Sequence, residues 1–276
     1  MAGTSTREVP WPRVELMGIE FDCCTRAQAV EFVGDEIRRR RGGWILTPNL
    51  HHMRTVTRDA QARTYVDNAD LVVPDGMPLV WASRVQGTPF PERVAGSDMV
   101  WDLSDSLARS NRSVFVLGGA PGVASRAADV FRRRQPDLRI AGVHSPAWGF
   151  TASGEELNEI RRAIAGAKPD LVLVGLHFPV QERLIQSLVT TFPETWFAGL
   201  GVSLSFVSGD VRRAPRWMQR TGLEWAYRLA QDPKRLARRY LIDGVPFLPR
   251  LAASALRQRG RTEPTARGVA ATSDRG

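Results

Sequence analysis

Cysteine is almost missing from this chain of 276 residues: there are two, Cys23 and Cys24, adjacent in sequence. Neighbours of that kind cannot tie distant segments together or furnish a metal cage, so a disulfide-built fold is excluded and a reducing compartment is expected. The opening stretch MAGTSTREVPWPRVELMG has no apolar core of the sort a secretory leader carries. The longest stretch free of charge and of histidine, Thr195 to Gly209, is broken by glycines. It falls short of the roughly 18 residues that cross a bilayer. Neither a signal peptide nor a transmembrane helix is expected. Metal-binding patterns are lacking too. The four histidines form no His-Glu-x-x-His and no ligand spacing with the cysteines. There is no Gly-x-Ser-x-Gly elbow and no Asp-x-Asp of the kind many sugar-nucleotide enzymes use for a divalent ion. An enzyme built on this chain is expected to work by acid/base chemistry, with no metal and no other cofactor.

What the chain does have is charge of one sign in one place. Residues 1 to 211 hold 23 Lys and Arg against 24 Asp and Glu, whereas residues 212 to 261 hold 13 against 3. The whole excess behind the net charge of +9 therefore lies in one segment. Such an asymmetry marks a face for an anionic partner, either a membrane surface or a nucleic acid.

Before that segment, short apolar runs alternate with helical stretches: WILTPN (44–49), LVVPDG (71–76), SVFVLGG (113–119), IAGVHS (140–145), DLVLVGL (170–176) and TWFAGLGVSLSF (195–206). Runs apolar on both faces predict parallel strands covered by helices on either side, a Rossmann-like α/β fold that collects ligands at the carboxyl ends of its strands. Thr25 with Gln28 and Ser153 with Glu156 read as capping boxes. The predicted organisation is a loose N-terminal tail (1–12), an α/β core (13–211), a basic helical appendage (212–261) and a loose C-terminal tail (262–276).

Polar residues gather where those strands should end. Thr47 and Asn49 follow the first run, Asp75 and Gly76 the second, Gly118 and Gly119 the third. Each admits a plain structural reading. Asp-Gly after a strand is most often a turn, Thr-Pro-Asn suits a turn and an N-cap, and VLGGAPGVA resembles a phosphate-cradling turn without being Gly-x-Gly-x-x-Gly.

Six motifs occur in one order: TPN (47–49), NADLVVPDGMPLVWASR (68–84), ERVAGSD (92–98), GLHFPVQE (175–182), GLGVSLSFVSGDVRRAP (199–215) and GLEWAYRLAQDPKRLARRY (222–240). Together they resemble the WecG/TagA/CpsF glycosyltransferases, glycosyltransferase family 26, over about Val14 to Phe247. The resemblance implies inverting transfer of a sugar, often of N-acetylmannosamine type, from a UDP donor to a polyprenyl-diphosphate-linked acceptor, without a metal. It also implies a peripheral protein on the cytoplasmic face of the plasma membrane, whose basic appendage helps complete the site. Its motif residues fall on Thr47, Asn49, Asp75, Arg93 and Gln181. GLHFPVQE departs from the usual Gly-x-Pro-Lys-Gln-Glu form, with Val180 in place of the lysine.

Glycosyl transfer gives those positions intelligible roles. A carboxylate among apolar groups has its pKa raised, which suits a base on the acceptor hydroxyl, and Asp75 is the candidate. Arg93, with Arg228, Arg235 and Arg238 of the appendage, would meet the charge of the leaving diphosphate. Thr47, Asn49 and Gln181 would hold sugar or phosphate groups through neutral hydrogen bonds, with Gly76, Gly118 and Gly119 lining the approach. Within the appendage, Trp217, Trp225 and Tyr240 among arginines suit a headgroup layer. The alternatives are a nucleic-acid binder, a membrane adaptor without catalysis, and a helical pair serving self-association. No nucleic-acid module motif accompanies the charge, so nucleic acid is not the expected partner.

Overall fold

The computed structural model describes residues 7–260. An antiparallel hairpin, β1 (Arg13–Leu16) and β2 (Ile19–Asp22), leads into α1 (Arg26–Arg38), β3 (Gly43–Leu46), α2 (Leu50–Val56), α3 (Ala60–Asp67) and β4 (Leu71–Val72). Then come α4 (Met77–Gln86), α5 (Gly96–Arg109), β5 (Ser113–Gly118), α6 (Val123–Arg134), β6 (Arg139–His144), α7 (Gly154–Ala167), β7 (Leu171–Gly175), α8 (Val180–Val189), β8 (Trp196–Gly199) and α9 (Ser203–Ser208). The basic segment forms α10 (Arg216–Arg220), α11 (Glu224–Gln231), α12 (Pro233–Ala237), a π-helical turn Arg238–Gly244, a 3-10 turn Val245–Phe247 and α13 (Leu248–Gln258).

Six strands make one sheet in the order β4-β3-β8-β7-β5-β6, each neighbour parallel. Successive side chains alternate between two apolar layers. Trp44, Leu46, Val172, Val174 and Phe197 face the layer that holds Met53, Tyr65, Ile164 and Leu184 from α2, α3, α7 and α8. Ile45, Leu171, Leu173, Trp196 and Ala198 face the layer that holds Val33, Leu103, Phe131 and Leu204 from α1, α5, α6 and α9. This is the predicted α/β architecture.

The topology also locates a crevice. β3 and β8 are neighbours, yet β3 exits into α2 and α3 on one face and β8 exits into α9 on the other. A gap opens beyond their carboxyl ends, where open parallel sheets bind ligands.

Several expectations need adjustment. The run TWFAGLGVSLSF is strand only to Gly199. A β-carbon there would stand 2.7 Å from Gln181 Nε2, and Gly201 then turns at φ +55 into α9. β6 is an edge strand with exposed Arg139 and Val143, so it is not covered on both faces. Thr25 and Gln28 form the predicted capping box. Ser153 makes no side-chain cap: its hydroxyl is hydrogen-bonded to that of Thr151 at 2.9 Å, and Glu156 accepts from the Ala147 amide instead. The β1–β2 hairpin escaped a search for uncharged runs because Glu15 and Glu20 alternate with its apolar residues, and its turn uses positive φ at Met17 and Gly18. Two residues before β1 are anchored to the core: Arg7 pairs with Glu36 at 3.1 Å and the buried Trp11 donates to Asp22 at 3.0 Å, while Glu8, Pro10 and Pro12 are exposed. The C-terminal tail lies outside the described residues.

The basic segment is built into the fold. Phe247, Leu251 and Ala255 are buried in the layer shared with α2, α3 and α4, and α13 lies along α4. Each large apolar side chain so buried contributes about 1.5–3 kcal/mol. A cut after Gly209 would therefore expose core.

Candidate active site

The switch-point crevice is built from backbone that continues past the strands. Val73 donates to Leu46 O at 3.0 Å, Asp75 to Pro48 O at 2.9 Å, and Val94 to Pro74 O at 2.9 Å. Pro74 is tolerated because only its carbonyl is used. This ladder brings Thr47, Asn49 and Asp75 side by side. Gly76 then turns at φ +143, a value that requires glycine, and opens α4. Asp-Gly is thus a turn, as the plain reading has it. The Asp75 carboxylate points away from that turn, toward α5.

That carboxylate instead accepts a hydrogen bond from the Gly96 amide at the start of α5. It makes no ion pair among the described residues. Burial pushes its pKa up to about 6 against the pull of Arg93, while the nearby negative charges of Glu224 and Asp98 add to the rise. Part of the residue still reaches solvent.

Arginines surround it, in two groups with different electrostatics. Arg93 Nη1 donates to Glu224 Oε2 at 3.0 Å, both side chains only 14% exposed, and Asp98 stands 3.9 Å from Arg93 Nη2. Arg213 donates to Asp98 at 2.6 Å, and its Nε stands 3.6 Å from Glu224 Oε1. Burial pushes Asp98 up, but the hydrogen bond and charge of Arg213 outweigh it and leave its pKa below the ordinary range. This group is charge-balanced. Arg239, on the π-helical turn over α2, is the other case. Burial lowers its pKa, Arg228 and Arg235 lower it further, and Tyr240 and Asp75 raise it. Its Nε is buried without a partner, and no carboxylate pairs with it among the described residues.

The remaining candidates are distributed as follows. Thr47 Oγ1 donates across the crevice to Gly199 O at 3.3 Å. Asn49 caps α2, its Oδ1 accepting from His51 N at 3.1 Å and His52 N at 3.4 Å, while His52 Nδ1 accepts from Asn49 N at 3.1 Å. His52 also hydrogen-bonds the Thr47 backbone, and burial drops its pKa well below the usual value, so a neutral ring braces the TPN loop. Gln181 is buried, its Oε1 accepting from Gly201 N at 2.8 Å and Leu176 N at 3.4 Å, so its amide ties the loops after β7 and β8 together. Gly118 and Gly119 lie at the end of β5, two strands from β8; a β-carbon on Gly118 would stand 2.7 Å from Gly175 O, and one on Gly119 would run into Val123. Close packing accounts for both. Arg228 stacks 5.9 Å over Phe206. Arg235 is exposed and pairs with Asp232 at 2.6 Å, and Arg238 is exposed. Val180, in the place of the family lysine, is buried in the core.

Sequence reasoning missed Arg239, Glu224, Arg213 and Glu182. Glu182 is fully buried, its pKa pushed up to about 7 by burial, with Gln181 Nε2 donating to it at 2.9 Å. The signals were faint. Arg238 and Arg239 are adjacent arginines, and only the fold decides which one turns inward.

The family model for the "Glycosyl transferase WecG/TagA/CpsF family" matches residues 14–261. The chain belongs to this family. A relative in Bacillus spizizenii is 32% identical over 200 residues, covering 72% of this chain and 76% of its own length. One in Bacillus subtilis strain 168 is 29% identical over 222 residues, 80% and 82% of the two chains. One in Staphylococcus aureus strain MW2 is 27% identical over 248 residues, 89% and 94%. All three are named N-acetylglucosaminyldiphosphoundecaprenol N-acetyl-beta-D-mannosaminyltransferase. In this WecG/TagA/CpsF family member, Thr47, Asn49 and Asp75 stand at the crevice, and Arg93 is joined to them through the charged network. No helix among the described residues is long and apolar enough to cross a membrane.

Proposed function

We propose that the protein transfers an N-acetylmannosamine-type sugar from a UDP donor to a polyprenyl-diphosphate-linked acceptor, with inversion, without a metal, and with Asp75 as general base. The observation that carries this reading is the Asp75 carboxylate itself: it stands at the switch point, unpaired by any cation among the described residues, its pKa raised to about 6, amid arginines. The relatives' names supply the sugar and acceptor classes. Asp75 takes the proton of the acceptor hydroxyl as that oxygen attacks the anomeric carbon. The bond from that carbon to the diphosphate breaks on the opposite face, and UDP departs with the electron pair. A base of pKa about 6 is ionised near neutral pH yet more basic than an ordinary aspartate. The charge growing on the diphosphate is met by Arg239, which has no carboxylate partner among the described residues, with Arg228 beside it. Thr47 and Asn49 hold the sugar. Gln181 acts through the two loops it joins.

The decisive assay offers the purified protein a set of UDP-sugars with a short-chain lipid-diphosphate N-acetylglucosamine acceptor and reads UDP release. UDP-N-acetylmannosamine is expected to be the best donor, and no release from any UDP-sugar would overturn the reading. Chelator is expected to leave turnover unchanged; loss with EDTA and recovery with Mg²⁺ or Mn²⁺ would refute metal independence.

The basic segment serves as the membrane contact. Trp217 is 60% and Ile242 66% exposed, with Trp225, Leu241 and Val245 also exposed, among the exposed cations Arg216, Arg220, Lys234 and Arg238. Apolar anchors flanked by cations suit an anionic bilayer surface, each cation contributing on the order of 1 kcal/mol. The joint substitution Trp217→Gln with Ile242→Gln is expected to lower co-sedimentation with anionic vesicles at least tenfold, and added salt to weaken what remains. A nucleic-acid shift that survives the same salt while vesicles fail to bind would favour the nucleic-acid reading.

A further inference from the structure

We propose that Glu224 is a positioning residue: by gripping Arg93 and Arg213 it locks the C-terminal segment over the crevice and sets the charge against which Asp75 works. The proposal rests on the reading of Asp75 as the base. Glu224 is the first residue of α11, and Gly222, at φ +77, turns the chain into that helix. The turn is tight against α4: a β-carbon on Gly222 would stand 3.0 Å from Met77 Cβ and 3.2 Å from Trp81. Glu224 therefore reaches the crevice from the C-terminal segment, and its two oxygens meet two cations, Arg93 Nη1 of the core at 3.0 Å and Arg213 Nε of its own segment at 3.6 Å. Asp98 closes the ring from α5 through Arg213 at 2.6 Å and Arg93 at 3.9 Å.

The physical consequence is twofold. A carboxylate at this depth, 14% exposed, holds Arg93 in one stance, so docking of α11 and the orientation of Arg93 are one event. Its charge also acts on Asp75. The groups facing Asp75 are Arg93 and Asp98 from the core, Glu224 from α11, Arg213 before α10, and Arg239 from the π-helical turn. Glu224 and Asp98 favour the protonated form, whereas the three arginines oppose it. Removing Glu224 tips that balance toward the cations and makes Asp75 a weaker base.

The test compares Glu224→Gln and Glu224→Asp with the wild-type chain, by turnover against pH and by amide hydrogen exchange over α10 and α11. Glu224→Gln is expected to lower kcat roughly 10- to 10²-fold. It should also move the acid limb of kcat/KM to lower pH and speed exchange in α10 and α11. Glu224→Asp keeps the charge, so it should keep the wild-type acid limb while losing turnover through its shorter reach. Wild-type kcat with an unmoved limb in Glu224→Gln would overturn the proposal. If Glu224→Gln does not fold, Glu224→Asp decides alone, and wild-type turnover in it is the overturning result. Failure of the underlying reading looks different: Asp75→Asn would stay active, whereas exchange in α10 and α11 would still accelerate in Glu224→Gln if Glu224 holds the segment.

Discussion

Asp75→Asn is expected to lower turnover by roughly 10²-fold or more, the scale of a lost general base, while the protein melts at or above the wild-type temperature near neutral pH. The second half follows from the sign of the shift. Folding raises this carboxyl from the ordinary 3.8 to about 6, so the native state holds its proton more tightly than the unfolded chain. The stability this provides is present at low pH and is lost as pH rises from 3.8 to about 6. Above that window the ionised carboxylate is a burden on the fold, which asparagine removes at almost the same volume. Activity has the opposite dependence, since the base must be ionised, and wild-type kcat/KM should fall below about pH 6. Thermal unfolding and turnover measured together separate the outcomes. A variant that melts early and keeps its activity would make Asp75 a structural residue and remove the base from the mechanism.

Arg239→Gln is expected to cost about 10²- to 10³-fold in turnover, the range for removing one preorganised donor from a buried charge-stabilising site. The argument is electrostatic. Arg93 and Arg213 already have Glu224 and Asp98, so bringing a diphosphate to them means displacing carboxylates. Arg239 has no carboxylate partner among the described residues and has the like charges of Arg228 and Arg235 nearby, so an arriving diphosphate relieves a repulsion. UDP affinity, read by calorimetry, should drop along with turnover, while the melting temperature holds or rises because an uncompensated buried cation is gone. Arg239→Lys should recover only part of the activity, since a point charge cannot reproduce the planar fork. Unchanged UDP affinity in Arg239→Gln would move the diphosphate to Arg93 and Arg213.

The packing of the C-terminal segment changes which experiments are informative. Its charge suggested a separable basic appendage, yet Phe247, Leu251 and Ala255 belong to the core and α13 covers α4. Deleting the segment would mix lost core with lost catalysis, so point substitutions at Glu224, Arg239, Trp217 and Ile242 are the cleaner probes.

Much of this protein was legible in its residues. Uncharged runs required strands buried on both faces, and five of the six sheet strands have that environment, β4 at one edge included; β6, at the other edge, is the exception. Motif order pointed to the family, and Asp75 stood out as an acidic residue flanked by apolar ones. The hairpin at Arg13–Asp22 was hidden by its alternating glutamates.

By itself the sequence determined the layered α/β class, because apolar runs of strand length can bury two faces only between helices. It also determined the basic C-terminal segment, because charge is local to the residues that carry it. Tertiary structure alone decided which arginine faces the crevice and which carboxylate neutralises which cation. Arg238 and Arg239 are consecutive residues of the π-helical turn, and the fold turns the first to solvent and the second inward. Likewise Glu224 and Arg93 meet across 131 positions of chain. No local pattern specifies such a pair; it exists because the C-terminal helices pack back over the strands' carboxyl ends.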